Sequence, residues 1–586
     1  MLSSSRSALA ACVLALATTC ATVPHARRAP RIEELTLDEK IGQLFVVDAW
    51  GVFVSESSPA YKRLLHHVRD NHVGGFMWHV SNVYETAALD ERLQAESRVP
   101  LLISADLESG IGMRFTDTTF WPWAMAVAAT GDPSLAEAEG RIAAREARAI
   151  GVNHILAPVV DVNIDPDNPV INTRSFGEDP QDVSRFATAF IRGVQGEHVL
   201  ACAKHFPGHG DTHVDSHRSL PVLDATRERL ERVELVPFRA AIAAGVGSIM
   251  PGHLAVPALD PTPVPVRAGD AQNKYGATAA EVTQNGTLPA TISKRMLDGL
   301  LRHELGFRGL VVTDAFDMGG LTEHFDAGEA AVRAIEAGED QILISPDTDA
   351  AVAAVKAAVK SGRLTEARID ESVRRILAAK AFVGPTAGDI FTTLDSQEHR
   401  DLAATIARRA MTLVREAPGA LPIGKEAKVS LVVVSEFPES GAPLPDFALE
   451  LRRRLKTPPQ VTLVDARTHE HELPQILAAI EQNDVVILAL AVRARSGAGQ
   501  IAVPESARKL VAQIRKPVVA ISFGTPYLLR EIPSVGTYLC AYGIQPVMQV
   551  AATHAIFGEA AVTGRLPVTI PGFVRRGEGV QRRWGS

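Results

Sequence analysis

A chain of 586 residues, 46% apolar and 22% charged, has material for more than one buried core and the balance of an ordinary globular protein. Its formal net charge of −8, with no long run of lysine or arginine, argues against nucleic acid as a partner, because phosphate binding needs clustered cations. Of its 4 cysteines only Cys202 and Cys540 lie beyond the N-terminal leader, which excludes a disulfide framework and leaves both as small core side chains.

In chain order, the first element is an export leader over residues 1–26. Arg6 gives a basic start, an apolar run follows from Ala8 to Ala17, and small residues come next. That layout is a signal peptide, too short for a comfortable membrane span. Leu16-Ala17-Thr18-Thr19-Cys20 is similar to a bacterial lipobox, with Thr19 bulkier than the usual glycine or alanine; otherwise cleavage falls near Ala21 or Ala26. The expected location is the periplasm or cell envelope, with a lipid on Cys20 as the one route to a membrane. No later segment is long and apolar enough to cross a bilayer.

Residues 30–383 contain eight short apolar, β-branched runs: 42–48, 73–78, 100–106, 153–158, 199–205, 246–253, 309–314 and 340–345. Segments of helical periodicity separate them, such as PSLAEAEGRIAAREARAIG and EAAVRAIEAGE. Strands alternating with helices pair in parallel through right-handed crossovers. The fold expected is α/β, a (β/α)8 TIM-type barrel, with an open doubly wound sheet as the competing layout. The runs finish in polar or reactive residues, among them Asp48, Asp106, Lys204-His205, His253 and Asp314. In a barrel such ends converge on one mouth, whereas in the plain alternative they mark only where strands leave a core.

After Val383 the texture changes. Residues 384–420 read as a turn-rich linker followed by a helix, DLAATIARRAMTLVRE. Residues 421–572 carry strands at 429–435, 484–490, 517–523 and 537–542, alternating with helices, and form a smaller α/β sandwich domain. The tail, 573–586, is basic and is expected to be mobile.

The stretch KHFPGHGDTHVDSH, Lys204 to His217, places His205, His209, His213 and His217 four residues apart, with Asp211 and Asp215 between them. On a helix the four imidazoles would share a face fit for zinc. Pro207, Gly208 and Gly210 forbid that helix, so the segment is a loop leaving the fifth strand. A plain polar loop is the bland alternative. Proton transfer is the other, because histidine titrates near neutrality and a neighbouring carboxylate fixes its tautomer. Asp215-Ser216-His217 offers both groups.

This loop resembles the signature of the bacterial β-N-acetylglucosaminidases of glycoside hydrolase family 3. INTRSFGEDP (171–180), LLISADLESG (101–110) and ELGFRGLVVTDAFDM (304–318) resemble further segments of that family, and GRLPVTIP (564–571) extends the likeness through the second domain. The resemblance implies a retaining exo-β-N-acetylglucosaminidase that acts on cell-wall muropeptides or chitin fragments. It implies Asp314 as nucleophile, His217 as acid/base and Asp215 as its partner, with Asp317 the rival nucleophile. It also implies Asp106, Arg114, Arg174, Lys204 and His205 as sugar contacts, with His253 beside them. Ser109 and Ile111 depart from the family pattern around Arg114. For Asp106, Arg114, Arg174, Lys204 and His205 the alternative role is an ion pair that closes the barrel mouth, and for His253, at the end of the sixth run, it is a satisfied core histidine. No Walker-type loop or dinucleotide fingerprint is present, so no cofactor and no metal are expected. Two alternatives stay open: a family 3 β-glucosidase of different sugar specificity, and a non-catalytic carbohydrate-binding lipoprotein.

Overall fold

The computed structural model describes residues 29–50, 54–116, 118–265, 286–436, 443–494, 497 and 499–584. The leader with Cys20, and most of the segment 261–289 that follows the sixth run, lie outside the described residues. Among those described, no helix is long and apolar enough to cross a membrane.

All eight expected runs contain strands: β1 (Phe45–Ala49), β2 (Gly75–Trp78), β3 (Leu102–Ala105), β4 (His154–Ile155), β5 (Leu200–Phe206), β6 (Ser248–Pro251), β7 (Leu310–Val311) and β8 (Ile342–Leu343). They form one sheet in the order β8-β1-β2-β3-β4-β5-β6-β7. The parallel bridge between Val312 and Gln341 joins β7 to β8 and closes the ring. Val46, Met77, Leu156, Cys202, Met250, Val312 and Leu343 pack together as the barrel's interior plug. Burial there pushes the Cys202 thiol up to about 12, so it is a filler rather than a nucleophile.

The helices that flank β4 show how the outer ring is fitted. Helix α1 (Pro133–Ala149) and helix α2 (Pro180–Gly196) each begin with a proline, capped by the side chains of Asp132 and Asp179. The two helices touch at backbone distance. A Cβ on Gly193 would stand 2.1 Å from the Glu137 carbonyl oxygen, so this crossing requires glycine.

The second sheet has six strands: β9 (Thr412–Arg415), β10 (Val429–Ser435), β11 (Gln460–Val464), β12 (Val485–Ala491), β13 (Val518–Ser522) and β14 (Thr537–Cys540). Their order is β9-β14-β13-β12-β10-β11, parallel throughout except for β9 against β14. Helix α3 (Gln397–Ala410) precedes it, capped by Ser396. The helix expected over 401–416 therefore starts earlier and stops at Ala410. Thr412, Leu413 and Arg415 are taken by pairing with β14, with a bulge at Val414, and the apolar and β-branched residues here serve the sheet better than a further helical turn. The tail also differs from expectation. The Val580 amide donates to the Leu413 carbonyl at 2.7 Å, and Val562 and Arg582 exchange backbone bonds at 2.9 and 3.0 Å. The Arg582 guanidinium holds the Glu416 carboxylate. These contacts cover the outer edge of β9, which would otherwise present unpaired backbone groups.

The two units are joined by polar contacts. Asn163 Nδ2 donates to Tyr527 Oη at 3.0 Å, Arg530 pairs with Asp167 at 2.8 Å, and the Thr569 amide donates to Glu178 at 2.7 Å.

Candidate active site

The C-terminal ends of the barrel strands surround a cavity of about 470 Å³. Met77, Met250 and Leu343 of the interior plug, with Ile344, form apolar parts of its lining. The rest is dominated by charged groups. Asp106 follows β3, and Glu108 lies two residues on. Lys204 Nζ, on β5, meets Asp106 Oδ1 at 2.8 Å and Glu108 Oε1 at 2.7 Å. Arg114 donates to Asp106 Oδ2 at 2.5 Å, and Arg174 grips both Glu108 oxygens at 2.7 and 2.8 Å. Burial alone would raise both carboxyls. Lys204 and Arg114 instead hold Asp106 far below the usual carboxylate range, and Arg174 and Lys204 bring Glu108 down to about 2. The cluster is thus fully ionised, a rigid array of donors and acceptors suited to ring hydroxyls.

The loop after β5 is packed inward. Asp161, beyond β4, accepts from the backbone amides of His205 and His209 at 3.1 and 2.7 Å and meets His205 Nδ1 at 2.8 Å. A Cβ on Gly210 would lie 1.8 Å from the Val162 carbonyl oxygen, which explains glycine at that point. The four histidines part company. His205, His209 and His217 line the cavity, with both His209 ring nitrogens engaged by Thr212 and Ser216, whereas His213 is exposed and pairs with Asp165 at 2.7 Å. No shared imidazole face forms.

His217 Nδ1 lies 2.7 Å from Asp215 Oδ1, which also accepts the His217 amide at 2.9 Å. The other carboxylate oxygen accepts the Gly497 amide of the second domain at 2.7 Å. Burial would raise the Asp215 carboxyl, but the imidazole and these amides hold it below its ordinary value. An acceptor at Nδ1 assigns the exchangeable proton of His217 to Nε2. The Gly319 and Gly320 amides donate to the carbonyls of His217 and Ser216 at 3.0 and 3.1 Å, which ties the dyad to the turn that follows Asp314.

Asp314 stands just beyond the Val312 bridge and lines the cavity with His217. Its Oδ1 accepts the Ala315 amide at 2.8 Å. Burial would raise this carboxyl, yet His205, His253, His217 and the Ala315 amide keep it below its ordinary value. Asp317 also lines the cavity, from the turn beyond. His253 is a correction to the expected sugar contacts. It is fully buried and outside the cavity wall, with Nδ1 on Thr291 Oγ1 and Nε2 on the Ala315 carbonyl, both at 2.9 Å. It braces the backbone next to Asp314, because a buried imidazole with both nitrogens engaged has nothing left for a ligand.

Residues 36–379 match the model of the glycosyl hydrolase family 3 N-terminal domain. The chain belongs to glycosyl hydrolase family 3. It is 33% identical over 565 residues to a β-N-acetylglucosaminidase/β-glucosidase of Cellulomonas fimi, covering 92% of this chain and 94% of that protein. It is 29% identical over 555 residues to β-hexosaminidase A of Pseudoalteromonas piscicida, covering 85% and 89%. A family 3 β-N-acetylglucosaminidase from Paenibacillus sp. str. FPU-7 superposes with a TM-score of 0.77 at 33% identity, covering 92% of this chain and 99% of that one.

The family 3 barrel brings Asp106, Arg114, Arg174, Lys204, His205, His217 and Asp314 to one cavity, with Asp215 directly behind His217. Sequence reasoning missed Glu108 and Asp161. Glu108 was readable as the alternate residue after Asp106 in a segment already singled out, and Asp161 as the first polar residue after the fourth run. Arg493 and Ala494 also line the cavity, from the loop after β12. Nothing in their local sequence announces this, since only domain packing carries them there.

Proposed function

We propose that the chain is a retaining exo-β-N-acetylglucosaminidase in which Asp314 is the nucleophile and His217, held by Asp215, is the acid/base. One observation carries this reading: a carboxylate kept ionised and an imidazole with its tautomer fixed line a single cavity closed at its inner end. The terminal sugar sits against Asp106, Lys204, Arg174 and Arg114. Asp314 attacks its anomeric carbon as protonated His217 gives its Nε2 proton to the leaving oxygen, forming a glycosyl-enzyme. Neutral His217 then takes a proton from water, which attacks the same carbon and restores Asp314 with configuration retained. The relatives named for N-acetylglucosaminidase and hexosaminidase activity support the acetamido sugar, and the leader supports export to an envelope where muropeptides or chitin fragments are met.

The Cellulomonas relative's double name favours glucosides as a second substrate. Parallel kinetics on 4-nitrophenyl N-acetyl-β-glucosaminide and 4-nitrophenyl β-glucoside decide between the sugars. Asp314→Ala should abolish turnover of both, and a fluorinated slow substrate should leave its sugar on the peptide that contains Asp314. Full activity in that variant, or label on Asp317, would overturn the assignment.

A further inference from the structure

Trp50 is exposed over 56% of its surface, unusual for the largest apolar side chain, and it stands one residue past the end of β1. Its ring lies on His79, with centroids 4.3 Å apart and planes 20° from parallel. His79 lines the cavity. The indole is also tethered: Nε1 donates to Asp48 Oδ2 at 3.0 Å, and Arg63 pins Asp48 Oδ1 at 3.2 Å. A tryptophan that merely covered His79 would itself be covered. This one is fixed by a stack and a hydrogen bond, and more than half of it is left open.

Resting on the family 3 reading above, we infer that Trp50, braced by His79 and Asp48, is the platform for the sugar on the leaving side of the scissile bond. The cavity is closed inward by its apolar floor, so a substrate whose terminal sugar is seated against Asp106 and Lys204 extends only through the mouth. His79 is on that wall, and the exposed Trp50 stacks on His79. A β-linked gluco-configured pyranose carries its axial C–H groups on its two faces and its hydroxyls at its edge. One face packs on the indole while the edge meets the Asp48 carboxylate and the Arg63 guanidinium that flank the ring. The ligand class is therefore a β-linked amino-sugar chain rather than an aglycone without a pyranose ring.

The test compares kcat/KM on N,N′-diacetylchitobiose, which has a sugar leaving group, with kcat/KM on N-acetyl-β-glucosaminyl azide, which has none. The ratio of the two within one preparation is independent of the folded fraction. In Trp50→Ala the ratio should fall about two- to twelvefold, the range set by loss of one aromatic stack, and Trp50→Phe should recover most of it. An unchanged ratio in Trp50→Ala, or a ratio in Trp50→Phe as low as in Trp50→Ala, would overturn the platform while leaving the proposed hydrolysis intact. Wild-type enzyme inert toward both substrates would remove the proposed function, and this inference with it.

Discussion

Replacing Asp215 by asparagine separates proton donation from everything else the loop does. The carboxylate accepts three hydrogen bonds, from His217 Nδ1 at 2.7 Å, the His217 amide at 2.9 Å and the Gly497 amide at 2.7 Å. Asparagine offers one acceptor oxygen. If it faces His217, the new NH2 group meets the Gly497 N–H; if it faces Gly497, the NH2 group meets Nδ1 and drives the imidazole into the wrong tautomer. A hydrogen bond to a charged partner contributes about 1.5–3 kcal/mol, which alone is roughly a ten- to hundredfold loss of rate. A wrong tautomer adds to this, within the ~10²–10⁴ that general acid catalysis supplies. For N,N′-diacetylchitobiose, whose leaving oxygen needs a proton, kcat/KM should therefore fall by at least ~10². For the 2,4-dinitrophenyl glycoside, whose phenolate leaves unaided, it should fall by less than ~10-fold. Steady-state kinetics on the two substrates measure this directly. Equal losses on both would show that Asp215 only holds the loop in place, and the reasoning about the dyad would be wrong.

Glu108→Gln should destabilise the fold by about 3–5 kcal/mol at neutral pH, because Arg174 and Lys204 stay buried with one carboxylate fewer; thermal melts check this. The same group gives an acid-side signature. Its carboxyl titrates at about 2 in the fold against an ordinary 4.5, so its contribution, of order 3 kcal/mol, is fully present above pH 4.5 and is lost as pH falls toward 2. Wild-type stability should drop across that window, and the drop should be shallower in Glu108→Gln. Arg582→Ala should cost about 1–3 kcal/mol by leaving the nearly buried Glu416 carboxylate unpaired, with kcat/KM on the aryl glycoside unchanged. A melt identical to wild type would mean that the C-terminal segment is not held to β9 as described.

The barrel was legible because its strands are buried on both faces and read as continuous apolar runs. VVTD and LACAKH announce β7 and β5 without help from their neighbours. β9 was not legible, because MTLV continues a helical pattern and becomes a strand only when β14 lies beside it. Exposed β11 gave a similarly weak signal, since Val461 and Leu463 at a sheet edge lack the company that marks a core strand. In the site, the residues carried by motifs were readable as types. Their division of labour was not. His253 has the same kind of position as His205 at a strand end, yet one faces the cavity and the other is locked between Thr291 and Ala315. That difference depends on which way each strand end turns its side chain, and periodicity does not record it where a strand gives way to a loop.

The bond from Gly497 to Asp215 makes the chemistry of one folding unit depend on the seating of the other. The barrel carries Asp314 and His217, but the second unit supplies one of the three donors to the Asp215 carboxylate. Loosening of the junction at Tyr527, Arg530 or Thr569 would therefore reach the reaction centre before either core melted. In a denaturant titration, loss of turnover should follow separation of the units rather than unfolding of the sheet that holds Asp314.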